Sequence, residues 1–276
     1  MRLLSSSFVF LGLALALSGC DNSQTNAVDP HHHQAALKSS IPQQQAQTYG
    51  VEQVVNMSVV PASSNLQDPA AQAWANTKEY QVELATAPPV HPSISLRHDS
   101  LAPSIPVIFS VATDHNNVYI RVRWQDKSLN RYHSFDQFAD AAAIQFALNG
   151  GVQTSFMMGS VNAPVNMWYW NAAKPEPQNL LASGFGTVTD IAGDSLSANA
   201  AYLHANSDDG SEASWMLVFS RPIATESNTA YQVDLENSQL IHFSLGIWQG
   251  EDKQRDGLKR IYPGWISAGT QQVAAH

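Results

Sequence analysis

From about residue 50 onward, apolar and polar positions alternate in short runs broken by Gly, Pro, Asn and Asp, the two-residue period of strands with one face buried. The clearest run is Val118 to Trp124. It sets Val118, Ile120, Val122 and Trp124 on one face and Tyr119, Arg121 and Arg123 on the other, the pattern of a half-buried strand. Pro106 to Thr113 precedes it across a His115-Asn116-Asn117 turn, so the two runs predict a hairpin. Val165 to Trp170 alternates likewise, with Val165, Met167 and Tyr169 opposite Asn166, Trp168 and Trp170. Further strands are predicted over Ala142 to Leu148, Gln153 to Met158, Gly186 to Ile191, Ala198 to His204, Trp215 to Arg221, Leu240 to Gln249 and Leu258 to Tyr262. Helical periodicity is scarce: one turn from Asp68 to Asn76, with Asp68 as N-cap and Pro69 in first position, and another near Ser134 to Ala139. The pattern predicts an all-β fold, a β-sandwich of antiparallel strands with few short helices, forming one domain over 51–276.

The first fifty residues lack this period. A single Arg2, an apolar run from Phe8 to Leu17 and a small-residue site ending in Cys20 predict a secretory signal over 1–19, because the run is too short to span a bilayer. Leu17-Ser18-Gly19-Cys20 resembles a bacterial lipobox, which implies a mature chain beginning at a lipidated Cys20 and anchored to a membrane by its acyl chains. Asp21 resembles the enterobacterial signal for retention at the inner membrane, so the expected location is the periplasmic side of that membrane. Residues 20–50, rich in Gln, Ser, Asn and Ala, bury too little to offset ordering and are expected to form a flexible tether. His31-His32-His33 lies within it and is read as adventitious.

Charge narrows the function classes. With 14 Lys and Arg against 23 Asp and Glu, the chain carries a formal net charge of −9, which argues against nucleic acid and against electrostatic attachment to anionic lipid. Cys20 is the only cysteine, so no disulfide forms within the chain. GxSxG, HExxH, CxxC and CxxCH are all missing, which excludes covalent c-type haem attachment. Gly184-Phe185-Gly186 leads into β-prone residues and not into a helix, so it is no dinucleotide loop. The stretch from Gln153 to Trp170 places Met157 and Met158 against Gly159; a thioether is a soft ligand that suits haem iron, and otherwise fills gaps in a core.

An ordered series of segments between about 55 and 268 resembles the haem b-binding subunits found with ethylbenzene dehydrogenase, dimethylsulfide dehydrogenase and related molybdenum enzymes of the dimethyl sulfoxide reductase class. The series runs from Asp68-Pro69-Ala70 and Trp74 through Arg123-Trp124-Gln125-Asp126, Asp140 to Phe146, Met158-Gly159 and Val165 to Trp170. It continues with Trp215 to Pro222, Gly246-Ile247-Trp248-Gln249-Gly250, Arg255-Asp256-Gly257-Leu258-Lys259 and Trp265. The resemblance implies a β-sandwich with one non-covalent haem b between a methionine and a lysine. Met158 and Lys259 are then the axial ligands, and the protein is an electron-transfer subunit, not an enzyme. Its redox partner would be an iron-sulfur or cytochrome subunit. On a strand Met157 and Met158 point to opposite faces, and Met158 is preferred because Gly159 beside it would let a flat macrocycle approach; Met157 is then core. Trp124, Trp168, Trp170 and Trp248 are candidate pocket walls, and Arg255 and Arg260 candidate partners of the propionates. His242 is the best of the rival histidine ligands. The alternative function is a ligand- or carbohydrate-binding sandwich lipoprotein that uses tryptophan faces.

Overall fold

The computed structural model describes residues 45–148, 151–191, 195–208, 210–225 and 229–269. The expected signal, Cys20, Asp21, the histidine tract, most of the tether and the end of the tail lie outside them. Fifteen strands follow in chain order: β1 (Gln47–Thr48), β2 (Val54–Asn56), β3 (Ser58–Val59), β4 (Tyr80–Thr86), β5 (Ile105–Thr113), β6 (Asn117–Gln125), β7 (Ala141–Ala147) and β8 (Val165–Asn171). They continue as β9 (Lys174–Ala182), β10 (Thr189–Asp190), β11 (Ser197–Leu203), β12 (Ser214–Pro222), β13 (Leu240–Trp248), β14 (Arg260–Ile261) and β15 (Ile266–Gly269). Hydrogen bonding runs β10-β9-β8-β7-β13-β14-β4-β5-β6-β12-β11, mostly antiparallel, and β14 joins the two halves by pairing with both β13 and β4. The halves close face to face as the predicted all-β sandwich.

The inner face of β6 is the one the alternation implied. Val118, Ile120, Val122 and Trp124 of β6 face Trp168 and Trp170 of β8 and Phe243 of β13 across one continuous core. Ring contacts stitch the halves: Phe109 to Phe243 at 5.6 Å, Trp170 to Trp215 at 5.1 Å and Trp168 to Phe219 at 6.3 Å. Each such side chain contributes roughly 1.5–3 kcal/mol on burial.

The outer face of β6 is not solvated as the alternation implied. The segment before β4 covers it, so that Trp74, Val60, Leu66 and Tyr119 form a second small core. There Arg121 pairs with Glu79 at 2.6 Å and lies 4.6 Å over the Trp74 ring. The turn preceding β6 is built by Asp114, whose carboxylate accepts from the backbone N–H groups of Asn116 and Asn117 and from the Tyr119 hydroxyl.

Several local expectations are corrected. Gln153 to Met158 is a 3₁₀ turn (Gly151–Gln153) followed by a hydrogen-bonded turn, not a strand. Only Thr189–Asp190 of the predicted Gly186 to Ile191 strand pairs, and only Arg260–Ile261 of the Leu258 to Tyr262 strand. The helical turn near Asp68 starts later, at Gln72–Asn76; Asp68 caps nothing there but accepts from Ala70 N in a local turn. Ser134 to Ala139 contains no helix. The expected tether ends before Gly50, since Gln47 and Thr48 pair with Tyr80 and Gln81 and Tyr49 is buried.

Candidate functional site

The outer face of the second half is made of small side chains at its centre. Register places Ala143 of β7 beside both Tyr169 of β8 and Gly246 of β13, and Gly246 beside Ile261 of β14. The next row is Met167, Gln145 and Ser244. Ala143 and Gly246 therefore make a low, flat floor, with taller residues standing around it. The slot above that floor is narrow, a cavity of about 40 Å³ that opens to solvent. No carboxylate is among its lining residues.

Met157 and Met158 stand on the β7–β8 side of the slot, in the turn that was expected to be a strand. The turn is pinned from three directions. Gln145 donates from Nε2 to the Phe156 carbonyl, Gly159 N donates to Ser155 O at 2.9 Å, and Gly184 N donates to Met158 O at 2.9 Å. Because this backbone is not extended, the opposite-faces argument fails and both methionines line the slot; Met157 is not core. Gly159 has a different purpose from the one expected. At φ +69° a Cβ there would meet the Ala163 carbonyl oxygen at 2.6 Å, so it serves close approach within its own turn.

Lys259 enters from the β14 side. A tight turn, with Leu258 N donating to Arg255 O, carries Asp256 at φ +53° and then Gly257. A Cβ at Gly257 would lie 2.1 Å from the Ile94 Cδ1 of a short helix, α1 (Pro92–Ser95), so a larger residue there would have to turn that side chain of the overlying strap aside. Ala87 N donates to the Lys259 carbonyl at 2.9 Å and holds the strap's near end. The amine lies 4.8 Å from the Trp248 ring. Burial takes the ammonium down to about 8, with the Asp256 carboxylate pulling the other way.

The remaining predicted residues are scattered. Of the four tryptophans only Trp248 lines the slot; Trp124, Trp168 and Trp170 belong to the inner core. Arg255 stacks over Phe138 at 4.4 Å, away from the slot. Arg260 is buried and donates to Thr86 Oγ1, and it faces an adjoining polar cleft of about 980 Å³ that Lys259 also lines. His242 contacts Ser267 at 2.9 Å, and no histidine lines the slot among the described residues. Sequence reasoning missed Gln145, Met167 and the Ala143–Gly246 floor. The signal was present in the alternation of β7, β8 and β13, whose outward residues are these.

One buried acid pair stands apart. Asp140 accepts from Gly250 N, Asn130 N and Trp215 Nε1 at 2.9–3.0 Å. Asp126, on the wall of the adjoining cleft, is pushed up to about 7 by burial and by the Asp140 carboxylate.

The sequence profile of the ethylbenzene dehydrogenase family matches residues 71–210. The gamma subunit of dimethylsulfide dehydrogenase from Rhodovulum sulfidophilum is 35% identical over 75% of this chain and 77% of its own. The gamma subunit of chlorate reductase from Ideonella dechloratans is 30% identical over 84% and 87%. A candidate respiratory nitrate reductase heme subunit, ORF7, from Haloferax mediterranei is 31% identical over 73% and 68%. A candidate carbohydrate-binding protein from Bacteroides uniformis superposes with a TM-score of 0.49 at 9% identity over 82% of this chain and 99% of that one, too loosely to bear on function. With its sandwich, its profile match and these relatives together, the chain belongs to the ethylbenzene dehydrogenase family.

Proposed function

We propose that the chain is a haem b-binding electron-transfer subunit of a molybdoenzyme-type respiratory complex, held on the periplasmic side of a membrane, the inner one by Asp21, through lipid on Cys20. The relatives are gamma or heme subunits of oxidoreductases, and this chain is likewise a non-catalytic subunit. One observation carries the haem reading: thioethers and a lysine amine enter the same apolar slot from opposite sides of a floor made of Ala143 and Gly246. The residues fit the group. A soft sulfur faces an amine already part-way to its neutral form across a floor of small residues, and a flat ring seated there would need the flanking side chains to part. Bound haem supplies a one-electron iron couple.

The chain's own residues then have separate tasks. Gln145 holds the methionine turn against β7, and Met158 or Met157 offers sulfur. Lys259 offers nitrogen, its deprotonation favoured by the apolar surroundings. Arg260, facing the adjoining cleft, is better placed than Arg255 to meet a propionate. The electron's partner is expected to be an iron-sulfur or cytochrome subunit. The test is a pyridine haemochrome assay on full-length protein made in a haem-replete periplasm. A b-type spectrum, extractable into acid acetone, is expected; a folded, colourless protein that also refuses added haemin overturns the reading.

A further inference from the structure

The Trp248 ring touches both the turn that carries Lys259 and the amine at the end of its side chain. The indole N–H donates to the Asp256 carbonyl at 3.1 Å, while the ring lies 4.8 Å from Lys259 Nζ. The ring is itself held. Tyr169 meets it edge-on at 5.6 Å and 87°, and it folds back over Gly246, where a Cβ would sit 3.6 Å from it. A lysine amine rides on a flexible four-carbon stem, so its place in the slot must be set by something beyond its own backbone.

We infer that Trp248 is the positioning residue for Lys259: its N–H fixes the Arg255–Leu258 turn, and its π face holds the end of the lysine side chain over the floor of the slot. A lysine already placed on that face would give up its proton to solvent and could bind iron without searching its rotamers, its stem still lying against the ring. A plain wall would need only bulk and apolarity, whereas these two contacts are directed, one from the ring's edge and one from its face. The inference rests on the reading of Lys259 as an axial ligand.

The full chain carrying Trp248→Phe, Trp248→Leu or Lys259→Ala is reconstituted with haemin and compared with the parent at pH 7. Two quantities are read: the low-spin fraction of the ferric form, and the rate of carbon monoxide uptake by the ferrous form. Trp248→Leu, which loses both contacts, is expected to lose part of the low-spin signal and to take up carbon monoxide about tenfold faster, the scale of leaving one long side chain to order itself. Trp248→Phe keeps a face and loses the N–H, and is expected to fall between. If Trp248→Leu takes up no haemin, Trp248→Phe decides, and identity with the parent in both readouts overturns the inference. If Lys259→Ala loses low-spin haem while both Trp248 variants match the parent, the positioning role fails and the ligand stands. If Lys259→Ala matches the parent, the ligand reading fails and takes this inference with it.

Discussion

Met158 adopts φ +67°, a left-handed backbone that costs a non-glycine residue about 1–2 kcal/mol, in a turn that also presents Met157 to the slot. Such strain persists only where the surroundings enforce it, and here Gln145, Ser155 and Gly184 do. Met158→Ala is expected to lower the reduction potential and open a site to carbon monoxide, and Lys259→Ala to open one on the other side. Met157 is only partly buried, so Met157→Ala should cost little stability and leave near-infrared magnetic circular dichroism unchanged. Loss of the methionine band in the Met157 variant instead would assign the ligand to Met157. Asp126 offers a second residue-scale test. Its carboxyl rises from an unfolded value of 3.8 to about 7 in the fold, so the stability it contributes is present below pH 4 and is lost as pH climbs through 7. Asp126→Asn is therefore expected to raise the melting midpoint at pH 8, with little change at pH 4, and to flatten the profile between; an unchanged slope would show that the pair does not titrate there.

Between residue and molecule, the outer face of β6 shows how an element's neighbours change its chemistry. Alternation placed Tyr119, Arg121 and Arg123 opposite the core, and that holds. What alternation could not show is that Trp74 and Glu79, more than forty positions earlier for Arg121, fold across that face and bury it. Glu79 holds Arg121 at 2.6 Å and Arg123 at 3.2 Å, and burial with its loss of hydration takes Arg121 down to about 10 despite the glutamate. Glu79→Ala leaves a buried guanidinium without its carboxylate and is expected to cost about 3–5 kcal/mol in urea unfolding. The site lies on the other half of the sandwich, so haem spectra of the folded variant should not move. β9 escaped prediction because Pro175 and Pro177 argue against a strand, yet β10 pairs only with its far end, leaving the proline-bearing part as an edge that needs no ladder donors. β4 had a legible signal, with Tyr80, Val82 and Leu84 inward, and pairs with β5, β14 and β1.

At the scale of the whole molecule, the slot opens on the outside of the sandwich, and the core proper holds most of the tryptophans. Among the described residues no helix is long and apolar enough to cross a membrane. Attachment is expected through Cys20, and Cys20→Ala should release the protein from washed membranes or stall its processing; retention equal to the parent would mean that a partner protein holds it. The sequence by itself determined most of the long strands, the residues sharing each of their faces and the all-β class, because a strand's alternation is written within the strand. It also determined that Met158 and Lys259 were worth joining, through the order of matching segments. Only the tertiary structure decided which faces became core and which became site. Met167 and Trp168 are neighbours and both apolar, yet Trp168 meets Phe219 across the sandwich while Met167 stands beside the slot. That outcome depends on strands fifty residues and more away, and on whether the opposite side is covered or bare. The turn holding Met157 and Met158 was decided the same way, since its backbone follows hydrogen bonds from Gln145 and Gly184 that no local pattern encodes.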